Sequence, residues 1–115
     1  SKSCIFLMAL CLVFMFAGQS IAHPPSRVDL AFDRTESVLE VMVYHSVSDP
    51  LSHYIHKFEV WMNGEKFCEL ELVRQISNSD AMALFKLPPL DTGTEIEVEV
   101  DCNKFGKKKA RITVE

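Results

Sequence analysis

The residues best equipped for chemistry are three histidines and a cysteine that lie far apart along the chain: His23, His45, His53 and Cys102. Imidazole nitrogen combined with one thiolate is a ligand set suited to iron, copper or zinc. We expect these four side chains to converge on one transition-metal ion. His45, His53 and a further histidine, His56, share the stretch from Tyr44 to Val60, which leaves one alternating apolar run, crosses a Ser/Asp/Pro loop and enters another. Each residue also has a plainer reading. A histidine at a strand end is commonly just half-buried, and an inward cysteine packs as a small hydrophobe. Cys68 and Cys102 could instead form a disulfide in an oxidising compartment, which would remove the thiolate. No Ser/His/Asp arrangement, paired acid and base or phosphate loop supports hydrolytic chemistry.

The elements that must position these groups read as strands. Val28, Leu30 and Phe32 alternate with Asp29, Ala31 and Asp33, and Leu39, Val41 and Val43 share a face that His45 extends. Phe58, Val60 and Met62 form the next inward row, and the same parity would turn His56 inward. Asn63-Gly64 predicts a two-residue hairpin, because both residues tolerate positive φ. Cys68, Leu70 and Leu72 make the return strand, and a short strand covers Met82 to Leu87. Ile96, Val98, Val100 and Cys102 alternate with acidic residues, and Ala110, Ile112 and Val114 make the last strand. Seven short strands with regular turn signals predict an all-β, immunoglobulin-like sandwich, with a partly open barrel as the alternative.

The first 22 residues read as a signal peptide preceding one domain over 23–115. Lys2 gives a positive start, Cys4 to Ala17 is almost wholly apolar, and Ser20-Ile21-Ala22 offers small residues for cleavage. Its apolar core of about 14 residues is shorter than the roughly 20 that span a bilayer. Met8-Ala9-Leu10 lacks the small residues a lipoprotein signal places just before its cysteine, here Cys11. The expected location is therefore periplasmic or extracellular, with no stable membrane insertion after cleavage. The net charge of −4 argues against nucleic acid as a partner. A homo-oligomer is compatible with all of this.

His45, then His53-Tyr54-Ile55, then Phe58-Glu59-Val60, then Cys102-Asn103 with Gly106 three residues on, resembles the iron-binding domain of the superoxide reductases, the desulfoferrodoxin and neelaredoxin family. His23-Pro24-Pro25 fits the place of that family's first ligand. The resemblance implies an immunoglobulin-like sandwich holding one mononuclear non-haem iron. His23, His45 and His53 would be equatorial ligands and Cys102 the axial one, so these four would be the catalytic residues of an oxidoreductase. Superoxide would be the substrate, reduced to hydrogen peroxide with an electron from an unknown donor.

The chain departs from the family pattern in several places. Phe105 stands where the family has its fourth histidine, so the site would be degenerate unless His56 or water completes it. Ile21-Ala22 precede His23 where the family carries a lysine, and the loop from His45 to His53 is longer than usual. Lys104, Lys107, Lys108 and Lys109 are read either as a positive rim attracting an anion or as charges guarding a strand edge. Two rival functions remain open: a copper site using His23 as N-terminal residue with His45 or His53, and a non-catalytic interaction domain with Cys68 and Cys102 oxidised.

Overall fold

The computed structural model describes residues 24–115; the expected signal peptide and His23 lie outside the described residues. Seven strands follow in order: β1 (Arg27–Asp33), β2 (Val38–Tyr44), β3 (Ile55–Met62), β4 (Glu65–Glu71), β5 (Asp80–Lys86), β6 (Glu95–Cys102) and β7 (Lys107–Thr113). They form two antiparallel sheets, three strands ordered β1-β2-β5 facing four ordered β4-β3-β6-β7. With separate edges on each sheet, this is the expected sandwich and not a barrel. Among the described residues no helix is long and apolar enough to cross a membrane.

The alternation seen in the sequence places the core. Leu39, Val41 and Val43 of β2, Phe58 and Val60 of β3, and Ile96, Val98 and Val100 of β6 are fully buried. Each such side chain contributes about 1.5–3 kcal/mol when removed from water. Phe58 meets Phe85 across the interface with ring centroids 6.3 Å apart, tying the two sheets together. Asn63 and Gly64 have φ of 48° and 81°, the left-handed pair that a tight hairpin needs.

The outer face of the larger sheet is a lattice of charges. Lys57 and Lys66 bridge Glu59 and Glu69, and Lys107, Lys109 and Arg111 bridge Glu95, Glu97 and Glu99. Lys107 and Lys109 therefore serve this face, and the reading of edge-guarding charges describes them better than that of an anion-attracting rim.

A β-bulge between Ile55 and Lys57 corrects the expected parity of β3. Ile55 and Phe58, three residues apart, both face the core. His56 is consequently displaced from the inward row, stays half-exposed, and pairs with Asp101 at 3.1 Å.

Candidate metal centre

His45, His53 and Cys102 come together at one end of the sandwich. Their ligand atoms all lie within 4.8 Å of one another, making them a His-His-Cys cluster able to hold a metal ion. Each arrives by a different route. His45 directly follows β2, so it leaves the smaller sheet facing the interior. Cys102 is the last residue of β6 and pairs with Ile55. His53 sits in the loop before β3, where a short turn presents it: Asp49 accepts the Ser52 and His53 backbone N–H groups through its carbonyl and the Leu51 N–H through its carboxylate.

Asn103 fastens these two segments together. Its side-chain oxygen accepts the Tyr54 N–H at 2.9 Å, its amide donates to the Ser52 carbonyl at 3.0 Å, and its backbone N–H reaches the Tyr54 carbonyl. Residues 52–54 are thus laid against residues 102–103 from both sides, which brings the His53 Nε2 within 3.1 Å of the Cys102 Sγ. Two ligands bound at right angles, with metal–nitrogen and metal–sulfur distances near 2.1 and 2.3 Å, would be about 3.1 Å apart. The Lys104 backbone N–H also points at the sulfur, at 3.5 Å.

His45 is only 1% exposed, and its environment fixes which nitrogen carries the proton. The Gln75 amide donates to the carbonyls of His45 and Ser77, while its oxygen accepts the Ile55 N–H at 3.1 Å. That oxygen also lies 2.9 Å from the His45 Nδ1, which must therefore be the donor. The neutral ring is left with its lone pair on Nε2, and Nε2 is a buried atom with no hydrogen-bond partner among the described residues. An unpaired buried nitrogen costs about 1–3 kcal/mol, and a metal is the partner this donor set fits. The His45 ring stands edge-on to that of His53, with centroids 4.8 Å apart and planes at 86°.

Gln75 was not foreseen. It lies on the connection between β4 and β5, in a stretch without periodicity, and nothing in its neighbours marks it out. The remaining expectations divide. His56 is outside the cluster, held by Asp101. Phe105 is 62% exposed and offers nothing to the site. Cys68 and Cys102 are both free thiols, which removes the disulfide alternative. The register explains why: Cys68 pairs with Val60 and Cys102 with Ile55, on opposite sides of β3. Five residues of strand alone separate them by roughly 15 Å, about twice what a disulfide spans. Partial burial pushes the Cys68 thiol above its ordinary value.

His23 itself is not described, but its neighbour is. Pro24, itself exposed, lies against Gly106, whose φ is +95° and where an added Cβ would collide with the proline ring. The Gly106 carbonyl in turn accepts the Cys102 N–H. The loop that carries Cys102 therefore holds the residue next to His23.

No protein-family model matches the chain, and no curated protein matches it. Solved structures do, across most of its length. A superoxide reductase crystallised in the oxidized state is 17% identical over 84% of this chain and 91% of its own, with a TM-score of 0.51. A superoxide reductase (neelaredoxin) from Ignicoccus hospitalis is 16% identical over 86% and 89%, with a TM-score of 0.46. One from Nanoarchaeum equitans is 14% identical over 80% and 92%, with a TM-score of 0.44. The chain has a superoxide-reductase-like β-sandwich fold.

Proposed function

We propose that this is an exported, mononuclear non-haem iron protein that reduces superoxide to hydrogen peroxide. His45, His53 and Cys102 would hold the metal, and His23 would join them. The observation that carries the reading is the buried His45 Nε2, left with its lone pair by Gln75 on a ring that belongs to a cluster containing a thiol. A structural histidine would be satisfied at both nitrogens. Pro24 on Gly106 supports the inclusion of His23.

Iron, when bound, would supply one electron to superoxide, which leaves as hydrogen peroxide after taking up two protons; an external donor would restore the metal. The chain's own contribution is positional. Gln75 holds His45 in the ligating tautomer, Asn103 sets His53 against the sulfur, and the Lys104 N–H tempers the electron density that Cys102 can donate. Cys102 would lose its proton on binding, as thiolate ligation requires.

The test is metal analysis and an optical spectrum of protein purified from its native compartment, alongside Cys102→Ser. Wild type is expected to carry about one iron per chain and a visible sulfur-to-iron charge-transfer band, and the variant to lose the band while keeping its far-ultraviolet circular dichroism. Persistence of the band in the variant would remove Cys102 from the site. Copper in place of iron would favour a copper-binding protein instead.

A further inference from the structure

Among the described residues four strands end the two sheets, and three of them are guarded. β1 carries Arg27, Asp29 and Asp33; β4 carries Glu65, Lys66, Glu69 and Glu71; β7 carries Lys107, Lys108, Lys109 and Arg111. Charges of this kind keep an edge from pairing with another chain. The fourth edge, β5, reads Asp80-Ala81-Met82-Ala83-Leu84-Phe85-Lys86 and runs without a bulge or proline. Its outward residues Met82 and Leu84 are 51% and 58% exposed. The apolar surface continues into a cleft of about 500 Å³ beside Asp80–Met82, where Val73 and Ile76 are exposed.

We propose that two copies of this chain pair through the edge of β5, antiparallel and centred on Ala83. The strand is self-complementary in that register alone. Ala83 meets its own copy, Met82 meets Leu84, Ala81 meets Phe85, and Asp80 meets Lys86 at both ends. Opposite charges terminate the strand, so a two-fold axis turns them into two ion pairs, whereas a parallel in-register alignment sets like charges side by side. The two three-stranded sheets become one continuous sheet of six, and the open N–H and C=O groups of the edge are satisfied. Lys86, whose ammonium also donates to the Glu36 carbonyl, has donors left for the partner's Asp80. The interface lies on the sheet edge and uses no metal ligand, so it stands apart from the metal reading.

Sedimentation velocity on the full chain, with and without added metal, tests this. Wild type is expected at twice the mass of one chain. Asp80→Lys and Lys86→Asp, each placing like charges opposite, are expected to weaken dimerisation by about ten-fold or more, and the double variant to restore it. Circular dichroism confirms that these surface variants fold. A wild type that stays monomeric at about 100 μM, single variants that dimerise unchanged, or a double variant no better than the singles would overturn the proposal. The first of these would leave the metal centre untouched, and loss of the visible band would leave this interface untouched.

Discussion

His45 shows what makes a core-filling side chain able to ligate. Its burial comes from the parity of β2, but its chemistry comes from Gln75. Replacing Gln75 with Leu would leave the Ile55 N–H, the His45 Nδ1 and two carbonyls without their partner. We expect the unfolding free energy to fall by about 2–3 kcal/mol and metal affinity to fall by roughly 10–100-fold. The specific readout is nitrogen NMR of the metal-free protein. In wild type the neutral His45 ring carries its proton on Nδ1, and in Gln75→Leu an Nε2-protonated population is expected. An unchanged tautomer would remove Gln75 from that role. Cys102 and His45 were legible in the sequence because each ends an alternating row. Gln75 was not, because a glutamine that reaches its partners from a non-periodic connection leaves no spacing to read.

At the scale of elements, the site depends on the turn that follows β6. Gly106 has a positive φ, and a Cβ added there would lie 2.4 Å from the Pro24 Cβ and 3.0 Å from its Cα. Gly106→Ala is expected to cost about 1–2 kcal/mol from backbone strain and to dislodge Pro24. Metal retention against a chelator would drop with it if His23 is a ligand, whereas stability alone would drop if it is not. The outer face of the larger sheet makes a separate contribution that varies with pH. A hydrogen bond from the Arg111 guanidinium, assisted by the charges of Arg111 and Lys109, holds the Glu97 carboxyl below its ordinary value. A depressed carboxylate stabilises the fold above its unfolded pKa and loses that contribution as pH falls through the folded one. Arg111→Met should therefore flatten the acid side of the stability profile, seen as a smaller difference in urea midpoint between pH 7 and pH 3. Because these groups are exposed, high salt should shrink the effect. The strands themselves were readable by alternation. The His56 parity was not, since a bulge inserts one residue and shifts every assignment beyond it.

Across the whole molecule, the cluster draws His45 from the end of the smaller sheet and Cys102 from the larger one. Binding energy is then available only to the assembled sandwich, and metal should stabilise it against unfolding. At about a thousand-fold excess over the dissociation constant the gain is about 4 kcal/mol, a rise in melting temperature of at least ~10 °C for a domain of this size. Scanning calorimetry before and after chelation would measure it, and an unchanged melting temperature would mean that no ion is held by the native state. The sequence showed seven strands but not which of them lie at the edges, since alternation records a strand's two faces and is silent about its neighbours. The exposed β5 edge became visible only with the topology.

The pairing of Cys102 with Ile55 also dictates when the ion can enter. A chain emerging from its N-terminus delivers both histidines of the cluster early, but the sulfur arrives only with the penultimate strand. A chain made only as far as β5 therefore lacks the thiol of the cluster, and the three side chains meet only once β6 has paired with β3.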